Sequence, residues 1–499
     1  MGFTIADLLN QYKKNNTNLL LNEKNLSITH LELEQYSNQF ARVLMKIGVN
    51  KGDRIMISLS NKIFSVCVIF GILKVGAIFI PISEKKTKLQ VTKIVEDIEP
   101  KVIIHEKKDS ILQSTSENKT LINISSNADF FKLIEHISDN PLESKVISRD
   151  IAYIIYTSGT TGDPKGIMMS HGAILSYVYD VVDRFNHNSS DKTICRTPPS
   201  FDPYLTEILP SIVSGGEIYL QENNVSLNTL LSLISEKKIT NFGCGPALLS
   251  LFIQAKDTLH KYKLNSLSEI YFGYEKMGKG LLSSMQSLLP NVTFINGYGT
   301  SESFAATTYH VCKKNEDITP IGTANNSSEV FLWNEEEKRV CKNNEFGEII
   351  IRSSTLMNGY WKNSTATRKV LRRNPCFPES DELVYFTNDV GKYLNQQIVF
   401  IGRKDNEIKL NGIRINLDEI AELIYQLEDI KEAIVIKKDE ELVCLYSTFS
   451  KEEKYVEIRN YLKKCLEPFK VPTKFLFQEN FCRNENSKLI KSISQTDKI

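Results

Sequence analysis

Short runs of β-branched and aliphatic residues alternate with longer stretches of helical apolar spacing up to about residue 320. Runs at 54–58, 101–105, 151–156, 216–220, 241–243, 269–272 and 292–296 read as strands, and stretches such as LEQYSNQFARVLMKIG place apolar residues at helical intervals. Such alternation predicts α/β layers with largely parallel strands. Beyond residue 320, runs at 329–333, 348–352 and 398–401 have little helix between them, which predicts a β-rich subdomain. A third part starts near Arg403, where LDEIAELIYQLEDI (417–430) reads as an amphipathic helix and EAIVIKK as a strand. The expected division is an N-terminal region, 1–403, of layered α/β subdomains plus the β-rich one. A small α+β domain follows at 404–499, long enough to fold around its own core.

Composition narrows the classes of function. A net charge of +1 supplies no bulk field for nucleic acid or an anionic membrane. The nine cysteines are scattered without CxxC spacing and the seven histidines are dispersed, so neither a zinc site nor a disulfide framework is expected. Reduced thiols and an N-terminus without a signal-peptide core point to a cytosolic protein. The window IFSVCVIFGILKVGAIFIPI (63–82) has membrane-spanning length. Ser65 and Lys74 interrupt it, however, and Gly76 reads as a helix stop before a strand, so a buried helix and strand are expected there.

The stretch YTSGTTGDPKG (156–166) holds the clearest chemical signal. The GxxxxGK[ST] phosphate loop does not fit it, because Pro164 stands where the second glycine is required. What remains is a strand running into glycines and hydroxyls closed by Lys165. Such a loop lets backbone N–H groups and hydroxyls converge on an anion, with one point charge added.

YTSGTTGDPKG resembles the phosphate-binding loop of the adenylate-forming superfamily, which includes nonribosomal peptide synthetase adenylation domains, acyl-CoA synthetases and firefly-type luciferases. The resemblance continues in order along nearly the whole chain. LKVGAIFIPI (73–82) is similar to a core helix-to-strand motif, GYGTSE (297–302) to GYGPTE, FGEIIIR (346–352) to GELxIxG and NGYW (358–361) to RGYW. YFTNDVG (385–391) resembles YxTGDxG, and GRKDNEIKLNGIRINLDEIAE (402–422) resembles GRxDxQVKIRGxRIExxEIE. PFKVPTKF and then Asn486, Ser487 and Lys488 resemble the closing YMVPxxF and NGK.

The resemblance implies ATP-dependent conversion of a carboxylate to its adenylate, with pyrophosphate released and the acyl group then passed to a thiol. Thr157, Ser158, Gly159, Thr160, Thr161, Gly162 and Lys165 would hold the β- and γ-phosphates. Glu302 would ligate Mg²⁺, and Ser301, in place of the usual Thr, would contact the α-phosphate. Asn296 and Tyr298 match adenine-contacting positions, Asp389 the ribose carboxylate and Arg403 the arginine that assists it. Lys488 would bridge the substrate carboxylate and the α-phosphate, with Lys491 close by as the competing candidate. Asp405 matches the hinge about which the small domain rotates.

SFDPYLTEIL (200–209) resembles the FDxS motif of amino-acid-activating members, so Asp202 would pair with a substrate ammonium. Asp202 also suits a helix cap ahead of Pro203, and the two roles are compatible. By the same resemblance Pro203, Thr206, Gly243, Tyr271, Gly273, Gly297, Ala305 and Ala306 would line the side-chain pocket. None is charged, so an uncharged amino acid is expected, with a phosphopantetheinylated carrier protein as acceptor. With no LGGxS-type motif before Ile499, a separate carrier is expected. The pattern departs at Asn388 and Ser487, where glycine is usual, at Thr300, where proline is usual, and at Tyr274 near the adenine. A CoA ligase for an acid lacking the amine, and a relative that binds without turnover, remain as alternatives.

Overall fold

The computed structural model describes residues 4–483 apart from 13–18, 85, 107–118, 159–163, 202, 223–224, 274–276, 315, 317–318, 411–412, 439–440, 467 and 482. Gly159, Thr160, Thr161, Gly162, Asp202, Tyr274, Ser487 and Lys488 therefore lie outside the described residues.

Two largely parallel sheets carry most of the chain. The first runs, in spatial order, Gly359–Tyr360, Pro164–Ser170, Ile151–Ser158, Ile78–Pro81, Arg54–Ser58, Val102–His105 and Thr120–Asn123. Its strands pair in parallel except where Pro164–Ser170 joins its two neighbours. The second runs Thr323–Ala324, Ala306–Val311, Thr293–Gly299, Glu269–Gly273, Asn241–Cys244, Lys192–Cys195, Glu217–Leu220, Leu19–Glu23 and Leu26–Thr29. Near-continuous apolar strands such as VIIH and EIYFG fit sheets covered on both faces.

The apolar window at 63–82 is a helix, Ile63–Val75, stopped by Gly76 in the left-handed region (φ 77°), then the strand Ile78–Pro81. The helix is buried almost all round, and this explains its uniform hydrophobicity. Lys74 is buried with it and offset by Glu34, whose Oε2 lies 2.5 Å from Nζ, and by Asn38 Oδ1 at 2.6 Å. No helix among the described residues is long and apolar enough to cross a membrane.

The β-rich part is an antiparallel sheet built on Ser328–Asn334, Phe346–Ser353, Leu383–Leu394 and Gln397–Arg403. Beyond it, Ile420, Ile424, Val435, Cys444, Tyr446, Ile458 and Leu462 form a separate apolar cluster. The helix expected over 417–430 ends at Tyr425. Leu427 and Ile430 keep packing on the same cluster through a turn, with Leu427 N–H donating to Ile424 O and Ile430 N–H to Leu427 O. Apolar spacing thus outlasts the helix, and the sequence pattern overran its end.

Candidate active site

A cavity of about 900 Å³ opens at the carboxyl ends of Asn241–Cys244, Glu269–Gly273 and Thr293–Gly299 and reaches across to the first sheet and the β-rich part. Open α/β sheets commonly bind ligands at that end of their strands. Thr157, Lys165, Thr206, Gly243, Tyr271, Gly273, Asn296, Gly297, Tyr298, Ser301, Glu302, Ala305, Ala306, Asp389 and Arg403 all line it. Residues as far apart in sequence as Thr157 and Arg403 are thus brought to one space.

At the end of the cavity formed by the first sheet, Thr157 and Lys165 are register partners across the hairpin of Ile151–Ser158 and Pro164–Ser170. The Lys165 ammonium lies 5.5 Å from the centre of the Tyr360 ring. Tyr360 pairs with Ile167, and its hydroxyl donates to Glu302 Oε1 at 2.8 Å. The backbone of Glu302 is fixed as well, its carbonyl accepting from Met357 N–H at 2.8 Å. NGYW is therefore the brace that holds the lysine and the glutamate on one wall. The sequence showed the motif; the role of Tyr360 needed the strand pairing.

Ser301 opens a tight turn, Ser301–Ser303, after which Phe304 (φ 51°) and Ala305 (φ 60°) are both left-handed without being glycine. Strain of this kind persists only where the surroundings over-determine it, and it clusters at functional sites. The turn folds back so tightly that a Cβ at Gly299 would sit 1.7 Å from the Ala305 carbonyl oxygen. Glycine is obligatory there, and the fold-back carries Ala305 and Ala306 to the strand that bears Gly297.

At a second end of the cavity, beside the β-rich part, Asp389 is buried and faces Arg403 across strand pairing. Its Oδ2 accepts from the Tyr298 hydroxyl at 2.8 Å, and its Oδ1 lies 3.4 Å from Arg403 Nη1. Burial first, and then the Asp389 charge, push the Tyr298 phenol well above its usual range, so it remains a donor. The ring leans on Phe400, and the Asn296 amide donates to Pro320 O at 3.1 Å. Asn388 has φ 64°, the left-handed region that glycine favours and asparagine tolerates best among other residues. Its N–H donates to Glu348 Oε1 at 2.9 Å, and Glu348 Oε2 is 2.6 Å from Lys404 Nζ. Asp405 lies in the turn Lys404–Asn406, which Asp418 grips through Arg403 N–H at 3.1 Å and Asn406 Nδ2 at 2.7 Å.

At the third end, Gly243, Gly273, Gly297, Ala305 and Ala306 leave space beside Thr206 and Tyr271. A Cβ at Gly273 would lie 2.5 Å from the Gly297 carbonyl oxygen, so that wall stays bare. Pro203 is buried at the first position of the helix Pro203–Ser214 and is not among the lining residues. The wall also includes Glu207, which corrects the wholly uncharged lining expected. Its carboxylate accepts from Arg196 N–H at 2.9 Å, Thr197 N–H at 3.0 Å and the Thr197 hydroxyl at 2.6 Å. Burial raises its pKa, so its affinity for a proton is increased.

The sequence matches the AMP-binding enzyme family over residues 10–361, and the chain belongs to that family. It is 28% identical over 471 residues to gramicidin S synthase 2 of Brevibacillus brevis, covering 93% of this chain and 10% of that protein. The chain thus spans about a tenth of the length of that curated relative. Among solved structures, an anthranilate CoA ligase bound to anthranoyl-AMP superposes with a TM-score of 0.85 at 20% identity, over 98% of this chain and 96% of that one. A four-domain nonribosomal peptide synthetase bound to AMP and glycine gives 0.78 at 22% identity, over 98% and 36%. These superpositions establish a shared mixed α/β fold.

Proposed function

We propose that the chain activates an amino acid as its aminoacyl adenylate at the expense of ATP and transfers the aminoacyl group to the phosphopantetheine thiol of a carrier protein. The observation that carries this reading is one cavity in which Thr157 and Lys165, Glu302, the Asp389–Arg403 pair and the small-residue pocket meet. That cavity suits a nucleotide laid along one arm and an acyl group in the other. The peptide synthetase relatives and the FD motif at Asp202 favour an amino acid over other acids.

In the first half-reaction a substrate carboxylate oxygen attacks the α-phosphorus. A new acyl–O–P bond forms as the P–O bond to the β-phosphate breaks, and pyrophosphate leaves. Charge on the phosphoryl oxygens is met by Lys165, by the hydroxyls of the 157–161 loop and by Lys488, donors and cations of the kind that stabilise such a transition state. Asp389 accepts from the ribose hydroxyls with Tyr298 and Arg403 holding it in place. Glu302 is a hard oxygen donor on the wall that also carries Lys165. Glu302 would hold Mg²⁺, a hard cation that prefers oxygen donors. When bound, Mg²⁺ would neutralise phosphate charge. In the second half-reaction the thiol attacks the acyl carbonyl and AMP leaves. Residues 404–499 act as a mobile domain that turns about Asp405, withdrawing Lys488 to admit the thiol.

The test is ATP–pyrophosphate exchange over the twenty common amino acids, with aryl and fatty acids alongside. Exchange dependent on an amino acid is expected. Exchange only with acids lacking the amine moves the chain to the acyl-ligase class, and ATP binding without exchange to any acid moves it to the non-catalytic relatives.

A further inference from the structure

The side-chain pocket does not end at its glycines. Gly243 and Tyr271 are register partners, and two residues back on one of those strands Asn241 pairs with Thr193. Residues two apart on a strand share a face, so Asn241 and Thr193 lie beneath Gly243, roughly 7 Å further in. The opposite wall extends equally far. Thr206, Pro210 and Ser211 of the helix Pro203–Ser214 line the same cavity, and five residues of helix advance about 7.5 Å. Tyr271 does not cross this passage: its hydroxyl is tied to Glu269 Oε2 at 2.7 Å and its ring packs edge-on against Phe185.

The inner end is polar, and the carboxylate on the wall above it, Glu207, is already taken by Arg196 N–H, Thr197 N–H and the Thr197 hydroxyl. The Ser211 hydroxyl donates to Thr193 Oγ1 at 3.2 Å, Thr193 to Asn241 Oδ1 at 2.8 Å, and Asn241 Nδ2 to Thr240 Oγ1 at 3.1 Å. Ser211, Thr193 and Asn241 are all buried. Their chain of bonds uses one proton of the Asn241 amide, and the Ser211 oxygen acts in it only as a donor. A hydroxyl oxygen can accept and an amide nitrogen carries two protons, so the floor offers both an acceptor and a donor.

Resting on the amino-acid reading above, we infer that the substrate has a long, uncharged side chain ending in a group that both donates and accepts, an amide, ureido or phenol. An aliphatic end would leave buried polar atoms without ligand partners, an anionic end would meet the Glu207 and Glu269 carboxylates, and a cationic end would find Glu207 already engaged by three donors. A site built to hydrogen-bond its substrate discriminates more strongly than a greasy one of the same shape.

The experiment is pyrophosphate exchange with glutamine, citrulline and tyrosine against glycine, alanine, leucine, lysine and glutamate, in the wild type and in Ser211→Ala. The expected result is exchange with a member of the first group at least tenfold above every member of the second. Ser211→Ala should then raise the KM for that amino acid about tenfold and leave the KM for ATP unchanged. Best exchange with glycine, alanine, leucine, lysine or glutamate overturns the inference while the amino-acid reading stands. An unchanged amino-acid KM in Ser211→Ala overturns it too. Exchange confined to acids without an amine overturns both.

Discussion

The two arms of the cavity are built from different materials. The arm proposed for the nucleotide relies on charged and hydroxylated side chains, each fixed by a second residue: Tyr360 on Glu302, Tyr298 and Arg403 on Asp389, Glu348 on the Asn388 backbone. The acyl arm relies on removal of side chains at Gly243, Gly273 and Gly297, with its polar groups set back at Thr193, Ser211 and Asn241. On the proposed function the first arm holds one ligand, ATP, in one geometry. The second has to be shaped around a carboxylic acid, so backbone and small residues define it. The difference predicts that damage to the nucleotide arm lowers turnover with every acid, whereas damage to the acyl arm changes which acid is used.

The largest effect is expected at Lys488. Lys488→Ala should lower pyrophosphate exchange by about 10²–10³-fold, as for loss of one group aimed at transition-state charge, and Lys491→Ala should stay near wild type. The reverse ranking would assign the role to Lys491. Next comes Asp389→Ala, which strands the Tyr298 hydroxyl and Arg403. A rise in the KM for ATP of about 10–100-fold is expected, matching loss of roughly 1.4–2.8 kcal/mol, with the order of preference among amino acids unchanged. A changed preference would break the separation of the two arms.

The residues gathered in the charged arm could be picked out from sequence because they sit inside contiguous motifs. Glu302 belongs to GYGTSE, and Asp389 and Arg403 to short segments whose pairing closes them on one another. The layered α/β order could be read for a similar reason, since strand and helix spacings are local. The acyl floor could not. Thr193, Ser211 and Asn241 come from two strands and one helix, and each looks like an ordinary surface or core polar residue until register sets them together. Glu207 escaped notice because its partners, Arg196 and Thr197, precede it by ten residues or more and use only their main chain and one hydroxyl. The role of Tyr360 depended on a cross-strand pair that no spacing in NGYW reveals.

Smaller effects test how finely the nucleotide arm is braced. Tyr360→Phe removes one hydroxyl from Glu302 and keeps the ring beneath Lys165. A loss of about 1 kcal/mol, near fivefold in kcat/KM, is expected for every acid alike. If Tyr360 only filled space, the Phe variant would match wild type and Tyr360→Ala alone would fall.

The smallest effect is expected at Asn388, where the chain departs from the family pattern. A left-handed residue costs about 1–2 kcal/mol when it carries an ordinary side chain, and asparagine is among the residues that bear that conformation most readily. At φ 64°, and with its N–H held by Glu348, the backbone has no alternative to adopt. Asn388→Gly should therefore leave the denaturation midpoint nearly unchanged and the KM for ATP intact. Asn388→Ala should lower stability by about 1 kcal/mol, and Asn388→Val by more, since branching at Cβ worsens the clash. A sharp fall in ATP binding in Asn388→Gly, without loss of stability, would show instead that the Asn388 side chain itself contacts the nucleotide, and the departure from glycine would then be a change in recognition and not a conformational substitute.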